Sequence, residues 1–241
     1  MGKEVTTSLD ALMKQCEGYT GFENIEEGDV IMSKAVLLQA MSPQITSGDN
    51  PGLSAGMIID NISGEAVPEE FVPIKRCKKS YCLFNGQQGD PDFDPNYEER
   101  GLIFATEDKE HPDIKDFLIW GPNKEPPRAK EFITYLVLFK GKAVPSILSF
   151  GKTSLKKGKL FTTMTCGFCN EMGNTDPLFS HKYKLRSKKE TKGRNTWYVL
   201  DVSHSGKFSA EVEGDEAFLR ATLNAVSNYK DFEPRSKITE E

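Results

Sequence analysis

Only three histidines and five cysteines occur in this 241-residue chain, and its longest largely apolar stretch, Phe132 to Phe139, covers eight residues. A stretch of that length is far too short to cross a bilayer as a helix. Cys16, Cys77, Cys82, Cys166 and Cys169 are odd in number and unevenly spaced, unlike the paired framework of a small secreted domain. A reducing compartment follows. The first residues also lack the basic-then-apolar order of a secretory leader. The expectation is therefore a cytoplasmic protein with no membrane association. His111, His181 and His204 lie in no nucleophile motif, so the chain is expected not to be an enzyme.

Positive charge is also in deficit, with a net charge of −5, but the distribution matters more than the sum. The window from Lys140 to Arg194 holds thirteen Lys/Arg and only Glu171, Asp176 and Glu190 as acids, a net +10 that leaves −15 elsewhere. A local field of that size attracts a polyanion along one surface. Lysines on the outer faces of strands also discourage edge pairing, which accounts for some of them but not for so lopsided a window.

The pattern along the chain is mainly β. Residues 1–28 form an N-terminal extension in which Ser8 caps a short helix ending near Gly18. Strands are expected at Met57 to Asp60, Phe71 to Ile74, Ser80 to Phe84, Leu102 to Ala105 and Phe117 to Trp120. Residues from about 85 to 128 are rich in Asp, Glu, Pro and Gly and form an acidic loop insertion. The basic β core, residues 129–213, has expected strands at Phe132 to Phe139, Val144 to Phe150, Leu160 to Thr165, Phe179 to Leu185 and Trp197 to Val202, then Phe208 to Val212. A helix follows Gly214, with Asp215 and Glu216 at its start and Phe218, Thr222, Ala225 and Tyr229 along one face. Residues 231–241 are a polar tail. The fold class is α+β, mainly β: one domain over residues 29–230, built as a small barrel of the oligonucleotide-binding (OB) type with long insertions and a C-terminal helix.

Single-strand binders combine a cationic groove with flat rings on which bases stack. Here the lysines interleave with aromatics. Candidate nucleic-acid contacts are Lys152, Lys156, Lys157 and Lys159 in an expected hairpin loop, then Lys182, Lys184, Arg186, Lys188, Lys189, Lys192 and Arg194. Tyr183 and Trp197 are the expected stacking platforms, since amphipathic rings tolerate partial exposure. Phe161 and Phe179 belong to the core. Adjacent Trp197 and Tyr198 point to opposite faces of a strand, so only one can face a groove.

Other motifs fail on their spacing. Gly151-Lys152-Thr153 lacks the glycine of a phosphate-binding loop, because Ser146 stands there. Asp90 to Glu98 alternates carboxylates like a calcium loop, yet its sixth position is Pro95 and its twelfth Gly101. Cys166-Gly-Phe-Cys169 with Cys77 and Cys82 offers four thiolates for structural zinc, but buried cysteine is commonly just a small apolar residue. No cofactor is expected.

Three stretches carry a family resemblance: Val144 to Leu160, Phe179 to Ser187 and Asn195 to Val202. Leu38 to Gln44, Pro51 to Gly56, Ser63 to Glu65 and Phe71 to Ile74 follow in the same order. Over residues 29–205 the chain resembles single-stranded DNA-binding proteins of bacteriophage replication modules. The resemblance implies an OB barrel that protects single strands during phage replication or recombination, in the host cytoplasm, with replication or recombination proteins as further partners. Two other classes remain open: a metal-dependent nuclease, and a virion or assembly protein whose basic surface meets an acidic one.

Overall fold

The computed structural model describes residues 31–232, apart from 49, 91–92, 100, 123–124 and 170–172. The expected helix after Ser8 and most of the polar tail lie outside these residues. From Ser33 onward the chain clusters as one unit.

Nine strands occur among the described residues: β1 (Lys34–Leu37), β2 (Ile58–Asp60), β3 (Glu70–Arg76), β4 (Ser80–Phe84), β5 (Leu102–Thr106), β6 (Ala129–Phe139), β7 (Ser146–Gly151), β8 (His181–Lys192) and β9 (Asn195–Lys207). Seven of them run in the order β2-β1-β7-β6-β3-β8-β9, while β4 pairs with β6 and carries β5 on its other side. The helices are α1 (Pro43–Thr46), α2 (Pro112–Lys115), α3 (Leu155–Cys166) and α4 (Asp215–Tyr229).

Five strands carry the barrel connectivity. β3 pairs antiparallel with β6, β6 with β7, β8 with β3, and β8 with β9, and α3 falls between β7 and β8. That is the strand–strand–strand–helix–strand–strand order of a partly open Greek-key barrel. The sheet curls into a half-barrel. β1 lies parallel to β7 on the open side. Just beyond it, the Gln39 side-chain amide bridges to β9, donating to the Tyr198 carbonyl and accepting from the Tyr198 N–H, both at 2.9 Å.

The core follows from alternation. Ile133, Tyr135, Val137 and Phe139 of β6 join Phe71, Leu148, Phe150, Leu185 and Leu200 in one cluster. Leu136 and Leu138, on the opposite face of β6, are also fully buried, so this strand reads as a continuous apolar run. Phe161 of α3 enters the centre of the cluster, its ring 4.8 Å from Tyr135, 5.0 Å from Tyr183 and 5.9 Å from both Phe71 and Phe150. Helix and sheet approach closely because residue 158 is glycine: a Cβ there would lie 2.5 Å from the Cβ of Phe150.

Three expected strands are corrected. Leu160 to Thr165 lies within α3, whose buried positions Gly158, Phe161 and Thr165 make a stripe one side chain wide. So thin a stripe, among three threonines, mimics strand alternation. Phe117 to Trp120 begins instead in a 3-10 turn, Asp116–Leu118. Phe208 to Val212 makes no strand; β9 runs on to Lys207, and Phe208 packs its ring on Phe218 of α4. α4 starts as expected, with Gly214 at φ +80° and acids in its first turn.

Candidate nucleic-acid interface

The barrel sorts the predicted contacts into three groups. Two lie inside. The register shift between Lys182 and Tyr183 leaves the extra residue, Ser205, on β9, so β8 keeps its alternation: Tyr183 faces the aromatic core and Lys182 the opposite side, against the start of α4. Lys182 is buried against Asp215 and over the Phe208 ring. Tyr183 is 1% exposed in the aromatic cluster, where burial pushes its hydroxyl pKa well up. Neither can touch a ligand, so Tyr183 is not a stacking platform and Lys182 is not a phosphate contact. Alternation along β8 puts Tyr183 on the face of core residue Leu185, whereas the burial of Lys182 on the other face comes from α4, through Asp215.

Two more are neutralised. Lys157 pairs with Asp201 at 2.6 Å and Arg186 with Glu69 at 3.0 Å. Lys152, Lys156, Lys157 and Lys159 do not form a hairpin loop. Lys152 lies in a 3-10 turn and the others in the first turns of α3. Lys156 and Lys159 are exposed, and no ion pair is formed by either among the described residues.

The third group is an arm. β8 and β9 continue past the barrel as a two-stranded ribbon, through Lys188↔Val199, Lys189↔Tyr198, Glu190↔Trp197 and Lys192↔Asn195, to a turn at Gly193 and Arg194. Lys184, Lys188, Lys189, Lys192 and Arg194 are exposed and, among the described residues, have no carboxylate partner. One face of the ribbon sets Trp197 among Lys188, Glu190 and Lys192; the other sets Tyr198 opposite Lys189. Trp197 is half-buried, with an indole N–H that has no partner among the described residues. The Tyr198 ring lies on Gly56, where a Cβ would come within 2.6 Å.

A second cationic cluster was not anticipated. Phe84 of β4 and Phe132 of β6 are half-buried with ring centroids 6.1 Å apart, and the Lys152 ammonium lies 5.1 Å from the Phe84 centroid. Lys130 is near; burial and the Lys152 charge together lower its pKa. Lys152 has φ +49°, the only non-glycine in the left-handed region among the described residues. Phe132 and Gly151 face each other on β6 and β7, the second and third barrel strands, whose face takes oligonucleotides in this fold. The clue in sequence was the even-numbered phase of Lys130 and Phe132, opposite to the core phase of Ile133 and Tyr135.

The cysteines do not come together as a zinc site. Cys77 is buried, Cys82 is half-buried with its thiol pKa raised by burial, and Cys166 and Cys169 are exposed beside the end of α3. No group of three or more His, Cys, Asp or Glu is placed to hold a metal among the described residues. Asp201 is paired with Lys157 and His204 with His181.

At the end of β8 away from the arm, Asp176, His181 and His204 form a chain of two 2.9 Å hydrogen bonds, roofed by Phe168 stacked 4.1 Å from the His181 ring. Lys207 and His181 hold the Asp176 carboxyl below its ordinary pKa. Ionised Asp176 accepts from His181 Nε2, and the ring tautomers set the direction of the bond between His181 Nδ1 and His204 Nε2. Burial, then the neighbouring His181, lowers the His204 pKa. The folded chain thus binds fewer protons here than the unfolded chain just below the ordinary histidine value. Stability present above that value is lost as pH falls through the lower, folded one. His204→Phe is expected to flatten that part of the stability curve in urea melts. An unchanged slope would show that the chain of rings does not control it.

The structure thus defines a mainly β protein built on an OB-like half-barrel with a basic β8–β9 arm. Within that class the chain belongs to the Pam3 phage gp34-like protein family, whose model matches residues 3–227, which makes it a bacteriophage protein. No curated protein and no solved structure matches it. No helix among the described residues is long and apolar enough to cross a membrane.

Proposed function

We propose that this phage protein binds single-stranded DNA without sequence preference or catalysis, protecting it in the host cytoplasm during replication or recombination. The observation that carries the reading is the β8–β9 arm, where Lys188, Lys189, Lys192 and Arg194 stand without carboxylate partners beside Trp197 and Tyr198. Cations release counterions from phosphates, and rings accept unpaired bases but not bases held in a duplex. The Phe84, Phe132, Lys130 and Lys152 cluster on the β6–β7 face offers the same chemistry within the barrel. No metal is needed for either contact, so a chelator should leave binding unchanged.

The test is a fluorescence-anisotropy titration of a labelled single strand at low and moderate salt, with the matching duplex as competitor. Tight binding that weakens with salt and resists the duplex is expected. Lys188→Glu with Lys189→Glu and Lys192→Glu should weaken it and reduce the salt slope by roughly 2, at about 0.7 per phosphate contact on single strands. Absence of binding at low salt would overturn the reading. Magnesium-dependent cleavage of the probe would replace it with the nuclease alternative.

A further inference from the structure

The arm has a counterpart of opposite charge on the same chain. Residues 85–128 hold eleven acids and five Lys/Arg, a net −6. This insertion is built outward from β4 and β5. Buried Asn85 ties its first loop together, donating to the carbonyls of Asp94, Tyr97 and Glu98 and accepting from the Gly86 and Asp94 N–H groups. Ile114 anchors α2 to Tyr81, Leu83 and Ala129. Acidic side chains are therefore displayed on folded chain. Glu99, Glu110 and Asp116 are exposed and form no ion pair among the described residues. Trp120, in the same insertion, is 66% exposed beside Ile119 at 65%. A large ring in a field of carboxylates repels phosphate but attracts a Lys or Arg side chain across its face.

The register separates the two features. β3 runs from Glu70 to Arg76; the insertion departs beyond its Arg76 end, through β4. β8 runs antiparallel to β3 with Lys184 opposite Glu70, so the arm departs beyond the Glu70 end. No described ion pair joins the two. Among the described residues neither patch neutralises the other; of the insertion's acids, Glu107 is paired, with Lys78.

We infer that the β8–β9 arm of one copy docks on the acidic, Trp120-bearing insertion of a second copy. The arm's partner is thus this chain itself, chosen by charge complementarity. Complementary patches leaving opposite ends of one strand make a head-to-tail contact, and such contacts repeat into open chains rather than closing on a two-fold axis. The attraction is between exposed charges and is screened by salt. The inference does not depend on nucleic-acid binding. If both hold, single strands and the neighbouring insertion compete for the arm.

The experiment is sedimentation velocity of the full chain, without nucleic acid, at low and high salt. Wild type is expected to sediment as species larger than one chain at low salt and as one chain at high salt. An arm-reversed variant (Lys188→Glu, Lys189→Glu, Lys192→Glu) and an insertion-reversed variant (Glu99→Lys, Glu110→Lys, Asp116→Lys) should each stay monomeric alone. Mixed, they should associate again, because the intact arm of the insertion variant meets the intact acidic insertion of the arm variant. Circular dichroism confirms that each variant is folded. Trp120→Ala should weaken association without reversing any charge. Wild type that is monomeric at low salt, or folded variants whose mixture stays monomeric, would overturn the inference. The anisotropy result stands apart: failure there with association intact removes the nucleic-acid reading alone.

Discussion

Phe161→Ala is expected to cost about 3–5 kcal/mol of unfolding free energy, the range for truncating a fully buried phenylalanine. The side chain is 1% exposed and contacts four aromatic rings drawn from β3, β6, β7 and β8. Its removal opens a cavity where α3 meets the sheet, and close-packed neighbours fill such a cavity only in part. Leu160→Ala, one residue earlier on a side chain that is 55% exposed, should change stability by no more than about 0.5 kcal/mol. Urea denaturation of the two variants separates a helix from a strand at this place. A strand from Leu160 to Thr165 would put Leu160, Thr162 and Met164 on one face and Phe161 on the other. It would bury Thr163 along with Phe161 and Thr165, yet Thr163 is exposed, and it gives no reason for Gly158 to share the buried side. Equal losses at 160 and 161 would contradict the helix.

That segment marks where the sequence was legible and where it was not. Long strands with both faces covered announce themselves, as Phe132 to Phe139 does, and so does α4 with its acidic start and broad apolar face. α3 is hidden because most of its surface is polar and tertiary contacts, not amphipathic pattern, hold it in place. The basic window was visible from composition, and its division was not. Which lysines are free depends on acids distant in sequence, Glu69 for Arg186 and Asp201 for Lys157, meeting them across the sheet. Tyr183 shares the face of Leu185 and so belongs to the core, while Lys182, on the other face, is buried only because Asp215 at the start of α4 packs there. Phe84 and Phe132 escaped notice because the pair forms only when the insertion folds back along β6.

Lys182→Ala should destabilise the protein by about 3–5 kcal/mol while leaving single-strand affinity per folded molecule unchanged. Lys182 and Asp215 have side chains 6% and 1% exposed, and the ion pair joins β8 to the first residue of α4. Breaking a buried pair leaves one charge in a low-dielectric setting without compensation, and that loss exceeds the net worth of the intact pair. The acid limb tells the same story. Burial alone would raise the Asp215 pKa, but the Lys182 ammonium and the Ser209 N–H hold it below the ordinary carboxylate value. Wild type therefore keeps this stabilisation above that ordinary value and loses it as pH falls through the lower, folded one. In the variant the ammonium is gone and burial dominates, so the folded pKa rises and acid restores stability instead. Lys182→Met with Asp215→Leu removes both charges and should recover much of the loss, since apolar replacements of a buried pair are often neutral or stabilising. A Lys182→Ala protein that melts like wild type but binds single strands weakly would return this lysine to the surface and undo its buried pairing with Asp215.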